Sequence, residues 1–216
     1  ARLCHRRSRG WLAASLIAAG LTLLTAPLGA ADTLRLATFN TELSRKGPGL
    51  LLRDILSGKD PQINAVTAQI TTIKPDVIVL QGIDYDLQNL ALSALAEALG
   101  YPHIFAAPPN AGQMTELDLD GDGKTDGPGD AQGYGRYFGQ GSMALLSQHP
   151  ILTDDVKDFT TLLWRDLPGA VLPRQDGQPF PSAQAQAIQR LSSHGHWAVP
   201  IIHPSLGRIT LLTYHA

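Results

Sequence analysis

Four aspartates recur at short, regular spacing within one glycine-rich segment, and this pattern favours a metal site. They are Asp118, Asp120, Asp122 and Asp126. The order Asp-x-Asp-x-Asp-Gly is that of the first half of a calcium loop, whose alternate carboxylates face one cation. The bidentate acid of such a loop would fall at position 129, which is a glycine, and Asp130 comes one residue later. We expect Ca²⁺ to bind in the Asp118–Asp130 loop. The alternative is a solvated acidic loop.

Polar side chains also stand where predicted strands end. Asn40 closes an otherwise apolar strand face, either as a turn residue or as a site residue. Asp84 follows a buried strand, where it would be a metal ligand or the N-cap of the next helix. His215 ends the last predicted strand. Of two histidines just before another strand, His196 beside Trp197 is the better candidate for binding substrate, and the alternative is a packing role.

The elements that must carry these residues follow from the hydrophobic pattern. Strand patterns cover residues 33–40, 76–81, 101–107, 142–147, 197–202 and 208–215, and helical patterns cover residues 61–73 and 85–99. A polar loop, residues 108–141, holds the aspartates, whereas residues 152–193 give no clear pattern. Helices and strands that alternate early, followed mainly by strands, indicate a mixed α/β sandwich.

Three segments, in their order and spacing, resemble the endonuclease/exonuclease/phosphatase family, which is DNase I-like. The first is a strand ending at Asn40, followed by a helix and a Lys-Pro-Asp-Val-Ile-Val-Leu-Gln run that ends at Gln81. The second is the strand Ser142–Ser147, and the third is Ile209–His215. The resemblance implies a four-layer α/β/β/α sandwich with its site at one end of two packed sheets.

The resemblance also implies the chemistry of the site. Asn40 and His215 would be catalytic, the amide holding metal ligands and phosphate and the imidazole stabilising charge on the scissile phosphate. Mg²⁺ or Mn²⁺ would bind at the active site. The metal-binding glutamate of the family normally follows the Leu-Gln pair, but this sequence has Gly82 there. Because residues two apart in an extended segment point the same way, Asp84 is the candidate replacement ligand.

The chain stops one residue after His215, within a strand pattern. In the family an Asp-x-Asn pair, a further aspartate and a final Asp-His pair follow the site histidine, and the last pair activates water as a general base. We therefore expect the fold to be incomplete at the C-terminus and this chain alone to be inactive.

The first 31 residues have the layout of a signal peptide. An arginine-rich start precedes an uncharged apolar run of about fourteen residues, short of the roughly twenty that span a bilayer, and small residues follow. We expect cleavage, with a membrane anchor as the alternative, and a secreted or periplasmic protein whose one domain covers residues 32–216. The only cysteine lies in the signal segment, which excludes disulfides and cysteine-ligated zinc from the remainder.

Cleavage would leave 13 basic and 19 acidic side chains, a formal charge of −6. Contacts to polyanions depend on lysine and arginine, so metal ions would have to supply much of the positive charge for a phosphodiester substrate.

Two functions compete. The first is an exported metal-dependent phosphoesterase, a monomeric endonuclease or phosphodiesterase that acts on nucleic acid, a phospholipid or an inositol phosphate. The second is a non-catalytic calcium-binding secreted module on the same fold. Gly82 favours the second function, whereas Asn40 with His215 favours the first. For the enzyme, we expect Asn40, Asp84 and His215 to meet at one end of the sheets.

Overall fold

The structure, a computed structural model, describes residues 33–215. The predicted signal peptide, residues 1–31, lies outside this range, and its cleavage stays a prediction. The helices are α1 (Leu50–Ser57), α2 (Pro61–Ile73), α3 (Leu90–Leu99) and α4 (Ala183–Ile188). The strands are β1 (Leu36–Asn40), β2 (Val77–Ile83), β3 (His103–Phe105), β4 (Ser142–Ser147), β5 (Lys157–Asp158), β6 (Arg174–Gln175), β7 (Gln178–Pro179), β8 (Gly195–His203) and β9 (Gly207–His215).

The first sheet has the strand order β1-β2-β4-β3. β1 and β2 run parallel, so Asn40 and Gln81, near their carboxyl ends, are paired neighbours. β4 is antiparallel to β2 and begins at the same end of the sheet, where Ser142 pairs with Ile83. The topology therefore gathers the ends of β1 and β2 and the start of β4 at one end of the sheet.

The helices α1, α2 and α3 cover one face of this sheet. Their buried side chains recur at helical spacing and meet every second residue of the strands. The core of this layer includes Leu51, Ile63, Val66, Ile70, Leu92, Leu95, Ile78, Leu80, Ala144 and Leu146. Burial of this apolar surface is the main favourable term that holds the helices on the sheet.

The opposite face of the first sheet packs on a second sheet, with the order β5-β8-β9. The core between the sheets includes Val77, Met143, Leu145, Trp197, Val199 and Ile201. Phe105 contacts Trp197 edge to face, with ring centroids 5.1 Å apart. The α/β fold class with two packed sheets is thus confirmed. The outer face of the second sheet carries Leu212 and Tyr214, which are exposed within residues 33–215.

Helix α2 begins and ends where the sequence predicts. The Asp60 carboxylate accepts a hydrogen bond from the Ile63 amide at 2.9 Å, and Pro61 occupies the first turn, where its missing N–H costs nothing. The chain leaves the helix through Lys74, with φ 50°, just before Pro75. None of the helices within residues 33–215 is long and apolar enough to cross a membrane.

The next helix was predicted to start at residue 85, and this prediction is wrong by five residues, because α3 starts at Leu90. The carboxylate of Asp86 accepts hydrogen bonds from the amides of Leu90 at 2.6 Å and Ala91 at 2.8 Å. Asp86 therefore satisfies the first free amides of the helix, and residues 85–89 form a loop in which Leu87 is exposed.

The two-sheet core gives a direct test of this packing. Leu145 is fully buried between the sheets, so Leu145→Ala should lower the free energy of unfolding by about 2–5 kcal/mol. Leu212 is 81% exposed, so Leu212→Ala, the matched control, should change it by less than about 1 kcal/mol. Urea denaturation of the two variants measures the difference. Equal costs would contradict the assignment of the inner and outer faces.

Candidate active site

An open cleft of about 420 Å³ lies at the end of the sheets where β1 and β2 finish. Its walls come from the loop after β1, from the end of β2, and from the segments that lead into β4 and β8. The lining residues are Asn40, Glu42, Ser44, Gly82, Tyr134, Gln140, Gly141 and His194. The cleft therefore contains one of the predicted catalytic residues, Asn40, and a histidine that the sequence did not rank first.

At Gly82 the end of β2 lies close to Asn40 and to the loop after β1. Its φ is +68°, and the pairing of β2 with β4 shifts register there, as at a β-bulge. A Cβ at this position would lie 2.6 Å from Asn40 Oδ1 and 2.9 Å from the Glu42 amide nitrogen. Asn40 Oδ1 itself accepts a hydrogen bond from that amide at 3.3 Å. The position therefore cannot hold a glutamate unless the loop after β1 moves.

Two histidines stack beside the cleft. The rings of His194 and His215 lie 4.2 Å apart between centroids and 26° from parallel. His194 Nδ1 is 2.7 Å from the Ser193 hydroxyl, and the side chain of Ser192 donates a hydrogen bond to the His215 carbonyl at 3.0 Å. The buried side chain of Asn110 donates to the Ser192 carbonyl, and this anchors the segment that presents His194.

Burial disfavours the charged form of both imidazoles, which lowers the pKa of each. Burial lowers the pKa of His194 from 6.5 to about 4, and the neighbouring His215 contributes to the same shift. Burial also lowers the pKa of His215. These side chains can therefore offer one N–H donor each to a ligand, but they bring no positive charge to the cleft.

The carboxylate of Asp84 is nearly buried and holds two loops. It accepts hydrogen bonds from the amides of Arg45 at 2.8 Å and Gly141 at 3.0 Å. Burial raises the pKa of Asp84, and hydrogen bonds from the Tyr137 hydroxyl and the two amides act in the opposite direction. Asp84 lines a second, neighbouring cavity of about 370 Å³ together with Tyr137, not the cleft with Asn40. Its role as a metal ligand stays a prediction.

Three carboxylates of the acidic loop converge. Oxygens of Asp118, Asp120 and Asp130 all lie within 4.8 Å of one another, so this triad can bind a metal ion. Asp130 is fully buried and accepts hydrogen bonds from the amides of Leu119 at 2.9 Å and Gly127 at 2.8 Å. A Cβ at Gly129 would lie 2.1 Å from an Asp120 carboxylate oxygen, so the glycine allows Asp120 to approach.

The other two aspartates of the predicted calcium set are not part of this triad. Asp122 accepts a hydrogen bond from the Lys124 amide at 2.8 Å, which stabilises the turn. Asp126 lies near the end of the loop and is exposed. Their roles as ligands stay predictions.

His196, the predicted substrate-binding residue, lies away from the cleft. Its ring is 5.3 Å from Phe159 and 5.2 Å from Tyr214 between centroids. Alternation along β8 places it opposite to Trp197, which is in the core between the sheets. His194 is the histidine that lines the cleft, and the sequence signal for it was its position just before β8, beside Gly195.

Comparisons with known proteins gave one family match and a similar solved structure. A sequence model of the Endonuclease/Exonuclease/phosphatase family matches residues 37–207. Among solved structures, the chain is similar to an endonuclease/exonuclease/phosphatase from Beutenbergia cavernae DSM 12333, with 19% sequence identity and a TM-score of 0.40. The match covers 84% of this chain and 37% of that one, so this chain spans 37% of its length. No curated protein sequence matches the chain.

The neutral histidine pair predicts acid sensitivity. In the folded protein His194 takes up a proton only near pH 4, whereas its ordinary pKa is 6.5. The unfolded chain therefore binds the proton first as the pH falls, so stability is lost from pH 6.5 toward 4 and is fully present above 6.5. His194→Gln should flatten the fall of the thermal midpoint over this range. His103→Gln, at the opposite end of the sheet, controls for loss of an imidazole. An unchanged slope in His194→Gln would contradict the assignment.

Proposed function

The chain belongs to the Endonuclease/Exonuclease/phosphatase family, and on this basis we propose that it is an exported metal-dependent phosphoesterase, an endonuclease or phosphodiesterase that hydrolyses phosphodiester bonds. The family acts on phosphoester bonds, usually with divalent metal ions. The observation that carries the proposal is the cleft at the ends of β1 and β2, where Asn40 and His194 face the same space and His215 stacks on His194.

The residues of the cleft fit the binding of a phosphate group. Asn40 can donate from its amide nitrogen to a phosphate oxygen, because its Oδ1 is already engaged by the Glu42 amide. His194 can donate a ring N–H without adding charge, and His215 holds its ring in place by stacking. These donors would stabilise the charge that develops on phosphorus.

A divalent ion also fits the chemistry of this end of the sheets. The oxygen ligands that Mg²⁺ or Mn²⁺ prefers are present in the carboxylates of Glu42 and Asp84. When bound, such an ion would neutralise phosphate oxygens and lower the pKa of a bound water. The predicted substrates are nucleic acid, a phospholipid or an inositol phosphate.

Export belongs to the proposal as well. The pattern of residues 1–31 supports a cleaved signal, and with it a secreted or periplasmic protein without a membrane anchor. N-terminal sequencing of the exported protein should give a start at Ala31 or Asp32. A start at the first residue would contradict cleavage.

We propose that this chain alone does not turn over substrate. Activation of water needs a general base, and the cleft lining within residues 33–215 includes no Asp-His pair that could provide one. The purified chain should therefore bind phosphate but leave bis-p-nitrophenyl phosphate intact in the presence of Mn²⁺. Cleavage that requires the metal would disprove inactivity and would support the phosphoesterase itself.

Phosphate binding tests the proposed function directly. Calorimetry with inorganic phosphate and Mg²⁺ should detect binding, and Asn40→Ala should weaken it about tenfold or more, because one hydrogen bond to a charged group is lost. Asn64→Ala, on the exposed side of α2, is the matched control and should bind as the parent does. If neither inorganic phosphate nor dimethyl phosphate binds with any divalent ion present, the proposal fails.

The second candidate is a non-catalytic calcium-binding secreted module, and the convergence of Asp118, Asp120 and Asp130 favours it. Three carboxylates this close repel one another, and a divalent cation offsets that repulsion. Calcium in this loop is compatible with either function, because the loop leads toward the wall of the cleft that contains Tyr134.

Calcium should bind weakly, with a dissociation constant on the order of 10⁻⁴ to 10⁻³ M, as in extracellular sites. Calorimetry on two double variants with equal charge change separates the ligand sets. Asp118→Asn with Asp120→Asn should abolish binding, whereas Asp122→Asn with Asp126→Asn should retain most of it. Loss in both variants would assign the ligands by the sequence pattern instead of by the triad alone. No response in the parent chain would make the loop merely acidic and solvated.

A further inference from the structure

We propose that Glu42 supplies the carboxylate that binds the divalent cation of the cleft, at the place where Gly82 can carry no side chain. The inference rests on the proposed phosphoesterase function and names a ligand for it. Glu42 is the carboxylate among the residues that line the cleft, and its neighbours there are Asn40, Gly82 and His194.

The backbone presents this side chain in a specific way. Glu42 has φ 51°, in the left-handed region that residues with a Cβ rarely adopt. Its amide donates to Asn40 Oδ1 at 3.3 Å, and its carbonyl accepts from Gln62 Nε2 at 2.8 Å. Its neighbours Thr41 and Leu43 are buried, whereas Glu42 itself is exposed. Both sides of the residue are thus held while its side chain stays free.

Glu42 and a side chain at position 82 exclude one another. A Cβ on Gly82 would lie 2.9 Å from the Glu42 amide nitrogen and 3.2 Å from its Cα. The backbone of Glu42 therefore occupies the space that a carboxylate extending from the end of β2 would need. In this chain the carboxylate that lines the cleft therefore comes from the loop after β1 and not from the end of β2.

The charges around the cleft favour the binding of a cation. The lining residues include no lysine or arginine, and His194 is neutral at pH 7. An exposed carboxylate in such a cleft would repel a phosphate group unless a divalent ion lies between them. Mg²⁺ and Mn²⁺ bind through one or two carboxylates, waters and phosphate oxygens, which suits a single glutamate in an open cleft.

Asp84 is less suited to this role. Two of its carboxylate contacts are already made by the amides of Arg45 and Gly141. A ligand at Asp84 would have to release bonds that join two loops. Glu42 makes no such side-chain bond within residues 33–215, so its carboxylate can take a cation without cost to the fold.

Binding of Mn²⁺, followed by electron paramagnetic resonance, tests the inference without relying on activity. All proteins carry Asp118→Asn and Asp120→Asn, so that the acidic loop does not contribute. In this background Mn²⁺ should bind and should broaden the NMR signals of the His194 ring. Glu42→Gln should weaken binding at least tenfold, whereas Glu97→Gln, on the exposed face of α3, should not change it.

A second variant distinguishes a ligand from a structural residue. Glu42→Gly should also lose Mn²⁺, yet its thermal midpoint should rise by about 2–4 °C, because glycine adopts the left-handed conformation without strain. Full Mn²⁺ binding by a folded Glu42→Gln protein would overturn the inference. So would loss of Mn²⁺ binding in Asp84→Asn while Glu42→Gln keeps it.

The two proposals fail in different ways. If phosphate binds the parent chain with Mg²⁺ while Glu42→Gln keeps its Mn²⁺ affinity, only the inference about Glu42 is wrong. If the parent chain binds neither phosphate nor Mn²⁺ in the cleft, both the inference and the proposed function are wrong.

Discussion

The close contact between Gly82 and the loop after β1 is the constraint on which the site depends. β2 lies between β1 and β4, so the conformation at its end decides what both neighbours can do. The left-handed bulge at Gly82 turns Ile83 into the core beneath the helices. It also leaves space in which Asn40 Oδ1 and the Glu42 amide meet. Any side chain at position 82 would separate these groups and open the cleft differently.

The bulge also places Asp84 where its carboxylate bonds two of the segments that form the walls of the cleft. One carboxylate bonds the Arg45 amide, in the loop after β1, and the Gly141 amide, at the start of β4. Arg45 in turn pairs with Asp54 and Asp60, which ties the same loop to α1 and α2. A nearly buried carboxylate with amide partners is costly to disturb, since lost partners leave the charge uncompensated. The loop after β1, which carries Glu42, is therefore anchored at Arg45.

Sequence reasoning was most accurate where a local pattern decides the structure. The Asp60 cap and the apolar spacing of Ile63, Val66 and Ile70 specify α2 completely, and the apolar residues Val77, Ile78 and Leu80 of β2 are buried, as its apolar run indicates. It was least accurate where a side chain bonds to the backbone several residues away. The start of α3 depends on the reach of Asp86 over several residues, which a periodicity cannot show.

The same limit applies to the site. Asn40 was recognised because it ends a strand, but Glu42 lies in a loop and has no periodic signal. His194 and His196 lie on either side of Gly195, so the sequence alone does not distinguish them. The pairing of Gly195 with His215 brings the His194 ring against the His215 ring, beside the cleft. Asp130 completes the acidic triad because Gly129 lets Asp120 approach. This contact depends on packing, and a loop motif that assigns ligands by position does not predict it.

Residues with a Cβ that adopt the left-handed conformation can do so because of local secondary structure or because of a functional site. Lys74 lies at the C-terminal end of α2, where this conformation is a usual cap, and Asp176 precedes Gly177 in the tight turn between β6 and β7. Glu42 is at neither a helix end nor a hairpin, and the same is true of Glu116 in the polar loop, so no secondary structure explains the φ of these two residues. The strain at Glu42 is offset by Asn40 and Gln62, whose side chains hold its backbone from both sides. Strain that is maintained by specific partners and that directs a carboxylate into a cleft is characteristic of a binding site.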